Sequence, residues 1–387
     1  MNHWMDRVRQ IFTKHQPLPP GMYHFQSPPE APAPYRLHLR LEPDGQGVLI
    51  INARTVLHLN QTAAEFAYYM VAGLPEPEAV SKIVARYRVS TEQAHQDYHE
   101  LIERIDTLIT TPDLAPDTFL DMDRQVLYSD ASAPYRLDCA LTYRLGEGTS
   151  PEAAPLNRVR RELTTDEWQA IFAKAWSAGV PHVIFTGGEP TLRPDLAELL
   201  TAAEKLGMVT GLLTDGLRLS NPSYLHSLLQ SGLDHLLLLL DPGSEESWEA
   251  LRDALVEDLH VTVHLTLHPR HQGEIASLLE RLAGMHVQHI SLSASDPTLN
   301  AALQQARQLA AHLGLNLVWD LPVPYSAANP VSLELEPEEI VQGAGSAWLY
   351  VEPDGDVLAG QGIYPVMGNL LTDAWEQVWS NRVTAAA

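Results

Sequence analysis

The chain has 387 residues, of which 45% are hydrophobic and 19% charged, so it can hold two or three domains with ordinary globular cores. A formal net charge of −24 excludes a basic surface for nucleic acid, and the single cysteine, Cys139, excludes an internal disulfide framework. No run approaches the roughly 20 apolar residues of a membrane span, and charges interrupt the N-terminus, so we expect a cytoplasmic protein.

Residues 1–16 predict an amphipathic helix. Trp4, Met5, Val8, Ile11 and Phe12 recur at helical spacing. Such a helix packs on its own protein, on a partner or on a membrane surface, and the sequence leaves these alternatives open. A proline-rich linker, Pro17 to Pro34, is expected to follow it and to complete a first segment, 1–34.

Residues 35–120 predict a small α+β module of the winged-helix type. The strand-like stretches YRLHLRL and VLIINARTVLHL flank the turn EPDGQG, and a third strand is expected at Thr55 to Leu59. Three helices follow, at Thr62 to Ala72, at Pro77 to Tyr87, and from the N-cap Ser90 to about Ile109.

Residues 121–330 alternate strand-like and amphipathic helical segments six times. This pattern predicts an α/β fold whose parallel sheet curves into a full or partial barrel. The strand-like segments are PYRLDCALTYR, HVIFTGG, MVTGLLTDG, DHLLLLLD, HVTVHLTLH and HISLSASD. Residues 331–387 predict a smaller extension of two strands joined by an Asp-Gly turn, with a short helix after them.

Two strands carry one polar and one apolar face. His260, His264 and His268 share a face with two threonines, and His289 shares one with three serines. We expect these polar faces to line a ligand cavity inside the barrel. Histidines four residues apart on a strand lie about 13 Å from one another, so they cannot share one metal ion, and no metal site is predicted.

The stretch FTGGEPTLRPDL is the most specific motif in the chain. Two glycines after a strand permit close approach to the backbone, and Glu189 offers a carboxylate to a cation. Gly-Gly-Glu-Pro alone is also compatible with an ordinary turn. Its position after the second strand of a βα series favours a site.

Here the chain resembles the radical S-adenosylmethionine (SAM) enzymes. In that family a Gly-Gly-Glu motif after the second strand holds the methionine amino group of SAM. LLTDG is similar to the family's Thr-Asn-Gly, with Asp215 for asparagine, and LLLLLD to its Ser-Leu-Asp, with Leu239 for serine. The resemblance implies a partial (βα)6 barrel and a vestigial SAM pocket of Gly187, Gly188, Glu189, Pro190, Thr214 and Asp241.

The flanking segments carry two further resemblances. The tail is similar to the SPASM extension, but Gln342 and Gly360 stand where that pattern has cysteines. Residues 35–110 resemble the peptide-recognition domain of the PQQ-synthesis D type. This likeness implies that a peptide adds to the third strand, at Thr55, Val56, Leu57, His58 and Leu59.

The cysteines that define the radical SAM family are missing. Its Cys-x3-Cys-x2-Cys loop corresponds here to Leu145, Thr149 and Glu152. Cys139 precedes the loop and is expected in the core, and one thiol cannot replace three thiolate ligands. We therefore expect no iron–sulfur cluster and no reductive cleavage of SAM.

These observations predict a pseudoenzyme, without catalytic residues, that binds a peptide or protein partner. No cofactor is expected, although SAM itself stays an option for the pocket. Two alternatives remain open. One is a cluster-independent enzyme that transfers the methyl group of SAM to a peptide, and the other is a structural subunit of a larger complex.

Overall fold

The computed structural model describes residues 17–28, 30–31, 34–111, 131–146, 148–319, 321–334 and 343–382. The helix predicted at 1–16 and the predicted position Gln342 lie outside these residues. The chain divides into two compact units, of which the first is Met1–Ser132 with Ser177–Pro181 and the second is Ala133–Trp176 with His182–Ala387. The C-terminal residues from 331 onward therefore group with the central sheet.

An antiparallel sheet of four strands forms the first unit, in the order β1-β2-β3-β4. The strands are β1 (Gly21–Gln26), β2 (Arg36–Leu41), β3 (Gly47–Ile51) and β4 (Thr55–Leu59). The predicted third strand is confirmed as β4. The linker prediction is wrong for β1, because its six residues contain no proline and pair along their whole length with β2.

Three helices complete this unit, as predicted. They are α1 (Gln61–Val71), α2 (Glu76–Arg86) and α3 (Thr91–Thr110). The Ser90 side chain accepts a hydrogen bond from the Gln93 amide at 3.2 Å, which confirms the predicted N-cap. Leucines and isoleucines of β2, β3 and β4 form one apolar cluster with the C-terminal part of α3.

The second unit contains a ten-stranded sheet in the order β11-β10-β9-β8-β7-β6-β5-β12-β13-β14. Its strands are β5 (Arg136–Thr142), β6 (His182–Gly187), β7 (Val209–Thr214), β8 (His235–Leu239), β9 (His260–Leu267), β10 (His289–Ala294), β11 (Asn316–Leu317), β12 (Trp348–Val351), β13 (Asp356–Leu358) and β14 (Gly368–Asn369). Neighbours from β11 to β12 run parallel, which confirms the predicted parallel βα sheet.

Helices connect the parallel strands. They are α4 (Thr165–Ala178), α5 (Leu196–Leu206), α6 (Pro222–Gln230), α7 (Glu245–Val256), α8 (Ile275–Gly284) and α9 (Asn300–His312), and α10 (Trp375–Ser380) lies in the tail. The predicted tail of two strands and a short helix is present as β12, β13 and α10. Because β12 pairs in parallel with β5, the tail extends the central sheet.

The polar faces of β9 and β10, which were predicted to line a ligand cavity, hydrogen-bond to each other around the buried His264. His264 lies opposite Ser291, and Thr266 lies opposite Ser293. The imidazole of His264 is 1% exposed and makes hydrogen bonds of 3.0 Å with Ser291, 3.1 Å with Thr266 and 3.0 Å with Ser293. Burial lowers the pKa of His264 to about 4, so this side chain is neutral at pH 7.

Candidate functional site

The two glycines of the Gly-Gly-Glu motif are required by the protein's own backbone. Gly187 ends β6 with φ +118°, a conformation that side chains other than glycine rarely adopt. A Cβ atom at Gly187 would lie 2.3 Å from the carbonyl oxygen of Thr142, and one at Gly188 would lie 2.3 Å from that of Arg144. From the sequence, a ligand was expected to approach the backbone of these glycines closely. In the structure, the carbonyl oxygens at the end of β5 make this close approach.

Glu189 lies beneath the carboxyl ends of β6 and β7 and is 4% exposed. Its Oε1 accepts hydrogen bonds from the Thr191 amide at 2.9 Å, the Thr191 hydroxyl at 2.5 Å and the Thr214 hydroxyl at 2.8 Å. Its Oε2 accepts one from the Asp215 amide at 2.8 Å. The predicted residues Glu189 and Thr214 are therefore brought together, and the carboxylate already has four donors.

A second carboxyl group, that of Asp215, adjoins Glu189. Burial, and next the negative charge of Asp215, raise the pKa of Glu189 to about 7, and burial also raises the pKa of Asp215. The Asp215 Oδ1 accepts from the Leu217 amide at 3.0 Å. The nearby guanidinium of Arg218 donates to the carbonyl oxygen of Thr191 at 2.6 Å. Adjacent carboxyls, one buried and one half-buried, disfavour double ionisation, so this pair holds a proton near neutral pH.

Asp215 and Thr191 were not among the predicted site residues. The position of Asp215 could have been found from the sequence, because Asp215 follows β7 as Glu189 follows β6, and adjacent parallel strands end at one edge of a sheet. Pro190, which was predicted, is buried and starts a short 3-10 turn (Pro190–Leu192). Its fixed φ suits that position, and the turn brings the Thr191 amide back to Glu189.

Asp241 follows β8 and is exposed. Its Oδ1 accepts a hydrogen bond from the Gly243 amide at 2.9 Å, so the carboxylate stabilises the turn that leads into α7. Leu239, in the place of the family's serine, packs against an apolar cluster of Ile184, Leu213 and Leu237. Among the contacts described for residues 131–382, none joins Asp241 to Glu189.

The loop after β5 does not fit an iron–sulfur cluster. Leu145 is half-buried and packs against a cluster that contains Tyr143, Tyr325 and Tyr350. Thr149 is half-buried and Glu152 is exposed, and neither is a ligand of the thiolate type. The tyrosine cluster and its aliphatic neighbours anchor this segment by apolar packing.

Cys139 does not supply the missing ligand. It is fully buried within β5, and burial raises the pKa of its thiol well above the usual value. Within the described ranges, no group of three or more His, Cys, Asp or Glu side chains could hold a metal ion.

The tail position Gly360 is filled by apolar side chains as well. A Cβ atom there would lie 2.9 Å from Cδ1 of Ile363 and 3.6 Å from Cβ of Ala344. A cysteine at this position would have to displace Ile363 before its sulfur reached a metal. Leu145, Thr149, Glu152 and Gly360 thus do not supply the thiolate ligands of the clusters that the fold family implies.

The predicted peptide-binding strand, β4, is the last strand of the first unit's sheet, opposite β1. Leu57 and Leu59 point into the core, at 6% and 8% exposure. Thr55, Val56 and His58 are half-buried. Burial, and next the charge of Arg40, lower the pKa of His58.

Comparison with known proteins shows what the fold is similar to. Residues 139–260 match the model of the Radical SAM superfamily. The structure of Streptococcus suis SuiB bound to the precursor peptide SuiA superimposes with a TM-score of 0.55 at 17% identity, covering 88% of this chain and 86% of that one. The fold is therefore an α/β radical SAM fold.

The curated proteins similar to this chain include PqqA peptide cyclases. That of Streptomyces rochei is 28% identical over 279 residues, which are 64% of this chain and 76% of that protein. That of Rhizobium meliloti (strain 1021) is 32% identical over 152 residues, or 36% and 40% of the two chains. No helix of the described residues has the length and apolarity needed to cross a membrane.

Proposed function

We propose that this chain is a radical-SAM-like pseudoenzyme that binds a peptide or protein partner and forms no iron–sulfur cluster. The single observation that carries the proposal is the chain's only cysteine, Cys139, which is fully buried. Reductive cleavage of SAM needs an electron from a thiolate-ligated cluster, and these 387 residues cannot supply three thiolates. The role that remains is recognition, within peptide modification or a larger complex.

The peptide part of the proposal rests on β4 and on the relatives. By their names, the similar cyclases act on the PqqA peptide, and SuiB has been solved with a precursor peptide. A terminal strand offers a row of amide and carbonyl groups to an incoming strand, while alternate side chains give specificity. Strand β1 forms one edge of the sheet and β4 forms the other. An added peptide strand would therefore pair with Thr55–Leu59 of β4.

The vestigial pocket is expected to bind SAM weakly or not at all. Both oxygens of Glu189 already accept hydrogen bonds from Thr191, Thr214 and Asp215. An ammonium group would have to share these acceptors, without a cluster to chelate its amine and carboxylate. Each charged hydrogen bond forgone costs about 1.5–3 kcal/mol.

The experiment that tests recognition is a binding assay on the full chain with peptides encoded by short reading frames beside its gene. Fluorescence anisotropy would be measured for the native protein, for Val56→Pro in β4 and for His24→Pro in β1. Both substitutions place a proline on a terminal strand, where proline is best tolerated. We expect Val56→Pro to abolish binding and His24→Pro to leave it within about twofold, or about 0.4 kcal/mol.

Equal binding by the two proline variants would contradict the placement on β4. If no encoded peptide binds the native protein, the peptide proposal fails. Stable co-purification with large subunits from the native host would then favour the structural-subunit alternative. Micromolar binding of SAM, abolished by Glu189→Ala, would favour the methyl-transfer alternative.

A further inference from the structure

A cavity of about 220 Å³ lies in the second unit, between the segment 319–334 and the C-terminal strands. Aromatic and aliphatic side chains make up most of its wall. They include Trp319, Leu321, Tyr325, Leu333, Trp348 and Ile363. None of these residues belongs to the vestigial SAM pocket or to the loop that follows β5.

The cavity carries no uncompensated charge among the described residues that line it. Its two acidic residues, Asp138 and Glu334, are each paired with an arginine. Arg136 donates to both oxygens of Asp138 at 2.7 and 3.1 Å. Arg158 donates to both oxygens of Glu334 at 2.9 and 2.5 Å, and the Tyr325 hydroxyl also donates to Glu334. Among the described residues of the wall, a charged ligand would find no unpaired opposite charge to offset its lost hydration.

Both tryptophans are held in place by guanidinium groups. The Cζ atom of Arg307 lies 4.4 Å from the ring centre of Trp319, and that of Arg136 lies 5.2 Å from the ring centre of Trp348. Trp319 is 60% exposed, so it stands at the mouth of the cavity. Rings fixed in advance lose little rotational freedom when a ligand packs against them.

The polar side chains of the wall fix the loop that closes the cavity. The amide nitrogens of Asn329 and Gln361 both donate to the carbonyl oxygen of Val323, at 2.7 and 3.0 Å. These two bonds tie the segment 319–334 to itself and to the residues after β13. The wall around Val323 is therefore tied together by the protein's own hydrogen bonds.

The volume of the cavity limits the size of the ligand that it can hold. A buried cavity of about 150 Å³ binds benzene, whereas pockets for drug-sized ligands span about 300–1,000 Å³. At about 220 Å³ the cavity holds one aromatic ring system and is too small for all of SAM. We infer that it binds one uncharged aromatic ring, supplied by a side chain of the peptide, and this identification of the source rests on the proposed function.

The first test uses indole alone with the full-length protein, followed by ligand-observed NMR. Indole-3-acetate and tryptamine present the same ring with a negative and a positive charge. We expect saturable binding of indole, at least tenfold tighter than either charged analogue, or about 1.4 kcal/mol. Absence of saturation at about 5 mM indole, where a ligand of millimolar Kd would saturate, overturns the inference, as does equal binding of the analogues.

The matched variants are Trp319→Ala at the mouth and Val256→Ala, an exposed apolar residue that does not line the cavity. Trp319→Ala should weaken indole binding at least fivefold without moving the urea midpoint, and Val256→Ala should leave it unchanged. Leu321→Trp, which fills the cavity, should abolish binding. Unchanged indole affinity in both Trp319→Ala and Leu321→Trp would refute the site.

A second arm identifies the source of the ring. An encoded peptide with an aromatic residue should displace indole, and its alanine-substituted form should not. If indole binds and no such peptide displaces it, the peptide source is overturned. Because Val56→Pro tests strand addition separately, a failure of the cavity and a failure of the proposed function give different results.

Discussion

The carboxyl pair of Glu189 and Asp215 should make the stability of the second unit depend on pH between about 4.5 and 7. The folded protein raises the pKa of Glu189 from 4.5 to about 7. In this window the folded state keeps a proton that the unfolded state has released, so stability falls as the pH rises. The stabilisation that the folded protein gains from the proton on Glu189 is fully present below pH 4.5 and is lost above about pH 7.

The magnitude follows from the shift. One unit of pKa corresponds to about 1.4 kcal/mol, so Glu189 costs the folded protein about 2–3 kcal/mol at pH 8 relative to pH 4.5. Asp215→Asn keeps an oxygen for the Leu217 amide and removes the neighbouring charge, which is the second cause after burial. This variant should be more stable than the native protein by about 1 kcal/mol at pH 8 and about equal at pH 5.

Glu189→Gln removes the titrating group itself. Its NH2 group must face either the Thr191 amide or the Asp215 amide, which are both donors. We expect the free energy of unfolding to be about 1–3 kcal/mol lower than that of the native protein at pH 5. At pH 8 this difference should shrink by about 2–3 kcal/mol, because the native protein then holds a buried charge. Asp241→Asn is the control, because it changes one exposed carboxylate that also accepts a backbone amide.

Urea unfolding followed by tryptophan fluorescence measures these differences. Seven of the eight tryptophans lie between residues 168 and 379, so the signal reports on the second unit. Other titrating groups cancel when each variant is compared with the native protein at the same pH. The reasoning would be refuted if the free energy of unfolding changed with pH in the same way in the native protein, Asp215→Asn and Glu189→Gln.

Three further results are expected. Anaerobic reconstitution with iron and sulfide should leave no iron and no visible charge-transfer absorption after desalting, whereas a radical SAM enzyme with its loop cysteines, treated in parallel, should retain both. Calorimetry with SAM should give a Kd no tighter than about 1 mM, and a micromolar value would contradict the account of the pocket. Burial lowers the pKa of His235 to about 3 and of His264 to about 4. As the pH falls, these histidines are therefore protonated in the unfolded chain before they are protonated in the folded protein. Stability should therefore fall by about 3 kcal/mol per histidine between pH 6.5 and 4, and NMR should show both rings neutral at pH 5.5.

Local patterns were sufficient to predict the parallel sheet and the helices of both units. The alternation of β9 and β10 predicted which residues share their polar faces, because strand periodicity acts over a few residues. Their register, with His264 opposite Ser291, was not predicted. Two pairings had no local signal. Strand β1 lies between proline clusters and exists through its contacts with β2, and β12 pairs with β5 although the two are far apart in sequence.

At the candidate site, residue identity was easier to predict than the partner of each group. Glu189 and Thr214 were both predicted site residues and are in contact, but the sequence does not show that Thr191 and Asp215 also donate to the oxygens of Glu189. Likewise, Leu145 could be recognised as a non-ligand, while its packing beside Tyr325 depends on a segment far along the chain. Such tertiary partners are set by the assembled sheet.

Survival of the Gly-Gly-Glu motif in a chain without cluster cysteines has a structural explanation. Any side chain at Gly187 or Gly188 would collide with carbonyl oxygens of Thr142 and Arg144. Glu189 accepts two backbone amides and two hydroxyls, so its loss would leave buried donors unpaired at about 1–3 kcal/mol each. Folding alone therefore maintains all three residues, and the motif by itself does not argue for a bound cofactor. At the positions where the resemblance implies cysteines, Leu145 packs in an apolar cluster and Ile363 occupies the space beside Gly360.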